Sequence, residues 1–518
     1  MNKFFLMKKT LIEMDDKVNT FSRSSGVLIH ISSLPGPYGI GEIGNQAKWF
    51  IDILVKMNQK YWQFLPTNYP ENYHSPYDTN SAFAQNPLLI SLDNLLEQDL
   101  IQKRDLSPIP DFSRNKVEFE KLIKWKIPVL RKAALKFLSS SKEKLEQYEK
   151  YCFENSFWLE DYALFMVLKE KNDNKSWLEW NEPSKNLDPK YIELVKKKEL
   201  KKIQEIKILQ YLFYIQWVEL KKYANSKGVQ LIGDIPIYVS YNSADVWKNK
   251  TLFKLDSDGK MIFQSGCPPD NFMLTGQVWG HPIYDWVCHD KTKFIWWCNR
   301  MKYLMNYVDI IRVDHFNGFA KYWEIPAEDA NGLQGQWKEA LGESLLQVLY
   351  DSIKNIRLIA EDLGEAAKDA GIIRRKYNIP GMQVLQFSFD EDDPLSTMEN
   401  DTILYTGTHD NETSVQWYNN IIKGSNRKNI DEKQNKIKKV LQSDLKDIHW
   451  SMISFCMSST ASIVVFPVQD LLGLGEEARM NTPGTIGDQN WTWRMEPGLL
   501  DERVMNKMSN LTKETLRK

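Results

Sequence analysis

Eight short apolar runs, separated by segments long enough to hold helices, predict an α/β fold with a parallel sheet and crossover connections. The runs are apolar throughout where half-buried strands would alternate, as expected of strands covered on both faces. Eight is the number that closes a TIM (β/α)8 barrel, so the predicted fold is such a barrel with large helical insertions on its C-terminal face.

In chain order, residues 1–22 read as a flexible tail, because the apolar stretch Phe4-Phe5-Leu6-Met7 is shorter than the roughly 7–15 residues of a signal-peptide core. Residues 23–518 read as one catalytic barrel. Its strands are expected at Val27-Leu28-Ile29, Tyr61-Trp62-Gln63-Phe64-Leu65, Gln230-Leu231-Ile232, Val308 to Val313, Leu358-Ile359-Ala360, Val384-Leu385-Gln386-Phe387, Ile403-Leu404-Tyr405 and Ile463-Val464-Val465-Phe466. The interval 67–229 is far too long for a βα loop and reads as an inserted, mainly helical subdomain. Within it, 116–145 and 191–225 carry charged residues with periodic apolar ones, the pattern of amphipathic helices. The run Lys196-Lys197-Lys198 is interrupted nearby by Glu199 and Glu205 and reads as a solvated helix face. A further insertion over 240–300 is expected to shape a groove. The Gly/Pro-rich stretch from Ser33 to Gly41 and the stretch from Ser75 to Pro87 read as ordered rim loops.

Charge and cysteine usage narrow the function classes. Lys+Arg 67 against Asp+Glu 68 leaves a net charge of −1, so no global basic field is available for a nucleic-acid partner. No run approaches the roughly 20 apolar residues of a membrane span. Five cysteines, odd in number and without a C-x-x-C pair, suggest reduced thiols in a cytoplasmic setting and neither a disulfide framework nor a structural zinc. The Cys288-His289 pair has no second ligand cluster and reads as core or surface chance. Eighteen tryptophans leave two readings open, aromatic core or stacking platforms for flat ligands.

The residues just past the strands carry the chemistry. Five strands are succeeded by ionisable or amide groups: His30, Asp234, Asp314, Glu361, and Thr408-His409-Asp410. In a barrel all of these face the C-terminal end, where active sites are assembled from several strand ends. Arg312 lies two residues before Asp314, hence on the same side of the pleat, and favours its ionised form, as a carboxylate nucleophile requires. Glu361 ends the next strand, about 4.8 Å away across the sheet. A pair of carboxyls roughly 5–5.5 Å apart is what retaining glycoside chemistry uses, one as nucleophile and one as acid and base.

An ordered set of motifs carries a more specific signal. Gly26-Val27-Leu28-Ile29-His30, Ser75-Pro76-Tyr77, Gly233-Asp234-Ile235-Pro236-Ile237-Tyr238-Val239, Pro268-Pro269-Asp270, Gly276-Gln277-Val278-Trp279-Gly280, Ala360-Glu361-Asp362-Leu363-Gly364, Gly407-Thr408-His409-Asp410-Asn411 and Glu477-Ala478-Arg479-Met480-Asn481 resemble, in sequence order, the amylomaltase (4-alpha-glucanotransferase) family of the α-amylase superfamily. The resemblance spans nearly the whole chain. It implies Asp314 as nucleophile, Glu361 as general acid/base and Asp410 as the third carboxylate, gripping sugar hydroxyls. It implies sugar contacts for Arg312 and His409, a supporting or indirect role for Asp234, and glucan contacts for Tyr77, Ser75, Trp279, Asp270 and Asn481. The implied substrates are maltooligosaccharides and other α-1,4-glucans, with glucose as an acceptor, and no cofactor, metal, nucleic acid or membrane is expected. An amylase-type hydrolase would share the three carboxylates, and a glucan-binding pseudoenzyme is the other alternative. The sequence departs from the family's usual pattern at Asn317, where arginine is usual, at His281, at Gln336 and at Ala340-Leu341-Gly342.

Overall fold

A computed structural model describes residues 19–517 except 72, 270–273, 365, 390–394, 397, 400 and 424–426. Eight parallel strands form the centre: β1 (Ser24–Leu28), β2 (Tyr61–Gln63), β3 (Gln230–Pro236), β4 (Ile310–Asp314), β5 (Leu358–Ala360), β6 (Met382–Val384), β7 (Ile403–Tyr405) and β8 (Ile463–Pro467). Each pairs with its neighbour in sequence except β5 with β6, and β8 pairs with β1 over five residues, from Ser24 opposite Ile463 to Leu28 opposite Pro467. At the remaining seam the Ala360 amide donates to the Pro380 carbonyl at 2.9 Å, bringing β5 against the segment that opens β6. The expected TIM barrel is therefore the observed one. Nearly every residue of these strands is buried, which is why the runs read as continuously apolar.

Strand bounds differ from expectation in several strands: β2 stops at Gln63, β3 runs on to Pro236 and β4 starts at Ile310. Of the sixth strand, expected over 384–387, only Val384 falls in the observed strand Met382–Val384, and Leu385–Phe387 is a 3₁₀ turn. Pairing with β7 starts beside Gly381, whose carbonyl accepts from Ile403 N at 2.9 Å, and ends at Val384. Leu385 and Gln386 stay buried in the turn while Phe387 is exposed, and a short apolar run does not separate a strand from such a turn. The first strand begins earlier, at Ser24-Ser25, two serines buried in the ladder. At the chain start Asn19 is already buried, donating to Tyr350 Oη at 2.7 Å and accepting from Leu358 N at 3.1 Å; of the tail expected over 1–22, residues 1–18 lie outside the described residues.

The interval 67–229 holds the helices Phe119–Phe137, Lys142–Glu154, Leu159–Lys171, Pro189–Lys198 and Leu200–Ser226. The last leads into β3 and buries Trp217, whose Nε1 donates to the Tyr307 carbonyl at 2.7 Å. Helix Phe119–Phe137 reaches the barrel through the fully buried Lys126, which donates to a Glu42 carboxylate oxygen and, at 2.8 Å, to the Leu88 carbonyl. Burial raises the Glu42 pKa and lowers that of Lys126, and their mutual attraction opposes both shifts.

A four-stranded antiparallel sheet, absent from the sequence expectations, lies beside the barrel in the order Gln277–Pro282, Phe263–Cys267, Lys321–Pro326, Gln336–Glu339. Its first two strands fall within 240–300. The strands are short and their mixed burial interrupts any alternation, which hid them from periodicity.

The tryptophan question resolves mostly toward packing, since Trp62, Trp177, Trp217, Trp247 and Trp297 are fully enclosed. Replacing one such ring by alanine costs about 3–5 kcal/mol. His289 is buried among Tyr284, Trp286 and Trp296, and burial lowers its pKa to about 4: it is a core histidine. Among the described residues the cysteines form no disulfide. Among the described residues no helix is long and apolar enough to cross a membrane.

Candidate active site

The C-terminal ends of β3, β4, β5 and β7 bring the strand-end groups into one cleft. Register sets the first pair, because Asp234 on β3 stands opposite Arg312 on β4. Arg312 Nη1 bridges two carboxylates, Asp234 Oδ2 at 2.6 Å and Asp314 Oδ1 at 2.9 Å. Arg312 and Asp234 are buried, whereas the Asp314 side chain retains 27% exposure. The guanidinium thus stands behind a carboxylate that faces the cleft. Burial alone would lower the Arg312 pKa, but Asp234 and Asp314 outweigh it and raise it well above the ordinary value, so the cation is permanent.

Glu361 lies one residue beyond β5 in a cradle of backbone donors. His315 N donates to Oε2 at 2.6 Å and Leu363 N to Oε1 at 3.3 Å, while Phe316 N holds the Glu361 carbonyl at 2.9 Å. To turn its amide toward this carboxyl, His315 adopts a left-handed backbone at φ 51°, a conformation that costs energy for a side chain bearing Cβ. Burial, followed by repulsion from Asp314, pushes the Glu361 pKa up to about 8, against the opposing pull of Arg312 and the two amides. At neutral pH Glu361 therefore carries a proton beside Asp314, in reach of the Arg312 charge.

Asp410 approaches from β7. Its Oδ1 accepts from Asn481 Nδ2 at 2.6 Å, its backbone carbonyl from Arg479 Nη2 at 2.9 Å, and its Oδ2 lies 3.4 Å from His409 Nε2. The His409 ring stacks on Tyr77 at 5.2 Å with planes 10° apart, and Trp491 tilts against both. Tyr77 Oη in turn donates to Asp234 Oδ2 at 2.8 Å, which connects the β7 side of the cleft to β3. Ser75 Oγ accepts from Tyr77 N at 3.3 Å and fixes the turn that delivers the ring. Trp279 is half-buried, set edge-on to the His315 ring at 4.8 Å, with His281 stacked on Tyr238 nearby. Asp270 lies outside the described residues.

Rim loops close the cleft's sides. Gly41 lies so near the Ile31 carbonyl that a Cβ would sit 1.9 Å from that oxygen, so only glycine passes. Arg494 donates to the carbonyls of Leu34, Gly36 and Ser113, and Ser33 Oγ donates to the Trp493 carbonyl at 2.8 Å, which stitches the loop after β1 to the segment 490–495.

The family model for 4-alpha-glucanotransferase matches residues 29–501, and the chain is 38% identical over 498 residues to the 4-alpha-glucanotransferase of Synechocystis sp., covering 95% of this chain and 97% of that one. The chain belongs to the 4-alpha-glucanotransferase family. The Clostridium butyricum 4-alpha-glucanotransferase is 39% identical over 492 residues, covering 94% of this chain and 99% of its own. Among solved structures, the amylomaltase from Streptococcus agalactiae in complex with acarbose superposes with a TM-score of 0.90 at 34% identity, covering 96% of this chain and 99% of that one. The amylomaltase from Corynebacterium glutamicum shares the fold, with a TM-score of 0.77 at 16% identity over 95% of this chain and 75% of its own.

Several groups in this family member's cleft escaped sequence reasoning. The amides of His315 and Leu363 left no side-chain signal, since any residue supplies an N–H. Arg479 falls in a motif that marks the resemblance, without a pattern that singles it out. His30 was visible as a strand-end group; it is buried near His409, and burial followed by the His409 charge lowers its pKa to about 3, so it stays neutral.

Proposed function

We propose that the cleft transfers segments of α-1,4-glucans by a retaining double displacement, with Asp314 as nucleophile and Glu361 as general acid and base. The observation that carries this reading is geometric: on adjacent strands, Asp314 is fixed by Arg312 and Glu361 is cradled by the amides of His315 and Leu363. Asp314 attacks the anomeric carbon while the Glu361 proton passes to the departing 4-oxygen, giving a covalent glucosyl-enzyme and a shortened glucan. The ionised Glu361 then takes the proton of an incoming 4-hydroxyl, of glucose or of another glucan, as that oxygen displaces Asp314. Two inversions restore the α configuration.

Asp410, held by Asn481 and adjacent to His409, grips hydroxyls of the sugar being transferred, and Tyr77, with Ser75 behind it, supports the same ring. Trp279 contacts the glucan further along the groove. Transfer exceeds hydrolysis when a bound acceptor sugar takes the place of water, which the rim loops favour by positioning it. The reaction requires no metal or cofactor, and five cysteines outside any disulfide favour a cytoplasmic setting.

Maltotriose incubated with the purified protein should yield a ladder of longer glucans together with glucose, lost in Asp314→Ala. Maltose and glucose alone would identify a hydrolase. Binding without any change in chain length would identify a glucan-binding pseudoenzyme.

A further inference from the structure

We propose that Asn317 is the positioning residue for the general acid/base: its amide holds the Leu363 carbonyl, so that the Leu363 N–H stays on Glu361. This inference rests on the role proposed above for Glu361. Asn317 lies in the 3₁₀ turn Phe316–Phe319 after β4, is 2% exposed, and donates from Nδ2 to the Leu363 carbonyl at 2.5 Å. Its own carbonyl accepts from Ala320 N at 2.9 Å, which fixes the turn that carries the amide. Asn317 Oδ1 is buried without a partner, and flipping the amide would set it against the Leu363 oxygen, so only one orientation makes the bond.

The segment from Glu361 to Leu363 is anchored residue by residue. Glu361 rests on the amides of His315 and Phe316, Asp362 on Met382 N at 2.9 Å and Arg374 Nε at 2.7 Å, and Leu363 on Asn317. Gly364 comes next at φ +91°, a conformation that glycine adopts readily, with its carbonyl accepting from Ala367 N at 3.2 Å. Buried as it is, Asn317 acts by keeping the 3.3 Å Leu363 N to Glu361 Oε1 contact, a donation that favours the ionised form.

Asn317→Ala tests this, with Asn317→Asp as an isosteric second variant should the first fold poorly. On maltotriose, kcat should fall about 10- to 100-fold with KM within about twofold, since proton transfer is impaired while sugar binding is not. The basic limb of kcat/KM should move to higher pH as the carboxylate loses a donor. In Asn317→Asp the introduced carboxyl can donate to Leu363 only when protonated, so activity relative to wild type should recover as pH falls.

With α-maltosyl fluoride as glucan donor and azide as acceptor, neither half-reaction needs Glu361, and both variants should run within about twofold of wild type. An unchanged kcat and pH limb on maltotriose would overturn the inference, as would an equal loss on the fluoride-azide pair. Glu361→Ala is the separate control. If azide fails to rescue that variant, the acid/base reading of Glu361 falls whatever Asn317 does.

Discussion

A single carboxyl group shows how geometry sets the working pH. In the role proposed for it, Glu361 protonates a leaving oxygen and holds a proton in the free enzyme, and a pKa pushed up to about 8 keeps it there through neutrality. The kcat/KM profile for maltotriose should therefore descend above about pH 8. The same shift has a stability sign. A carboxyl raised above its unfolded value costs nothing while both states are protonated, and its cost grows as pH climbs from the ordinary value of 4.5 toward 8. Glu361→Gln, which never ionises, should then raise Tm by a few degrees at pH 9 and leave it almost unchanged near pH 4, while abolishing maltotriose transfer. An equal Tm gain at both pH values would show that ionisation is not the cause. Stability surrendered at the acid/base is the ordinary exchange between function and folding.

At the scale of elements, helix Phe119–Phe137 is joined to the barrel by one buried ion pair. Lys126 and Glu42 are both enclosed, and Glu42 Oε2 also accepts from Leu92 N at 3.1 Å, so one carboxylate ties the inserted helix to two loops. Removing one partner strands the other charge in the interior, at a cost of about 3–5 kcal/mol. Lys126→Ala should show that loss in chemical denaturation, whereas replacing both partners by apolar residues of similar volume should recover much of it. This pair was not legible in the sequence, because nothing local marks two residues 84 apart as partners. The barrel strands were, since burial on both faces writes an apolar run into each of them. Leu385–Phe387 shows the limit: the same composition served a turn, and the strand was misplaced by a few residues. The candidate site divides in the same way. Asp314, Glu361 and Asp410 could be found because strand ends converge in a barrel. The amides of His315 and Leu363, and the Asn317 bond behind them, depend on turn geometry that residue identity does not encode.

On the scale of the whole molecule, the barrel must hold its first strand against its last, and the two ends of the barrel do so by different means. At the C-terminal rim, Arg494 and Ser33 join the loop after β1 to the segment after β8, beside the cleft. At the opposite end Arg517, fully buried, spreads its guanidinium over the carbonyls of Met457, Ser24, Ala461 and Ser459, reaching the start of β1 and the approach to β8 together. Burial, then the nearby Arg23, lowers its pKa to about 10, which still leaves it charged at neutral pH. No described carboxylate pairs with it; the carbonyl dipoles compensate the charge. Arg517→Met keeps much of the volume and removes its donors, taking this partner from the Ser24 and Ala461 carbonyls in the interior at about 1–3 kcal/mol apiece before any relaxation, while Arg23 still donates to those of Met457 and Ser459. Tm should drop by several degrees. Because the cluster lies at the N-terminal end of the strands, where a barrel is built for stability and not chemistry, kcat and KM for maltotriose at 25 °C should stay within about twofold of wild type. A variant with full Tm would remove Arg517 as a clasp; one with intact Tm and altered kcat would mean that the two ends of the barrel are coupled.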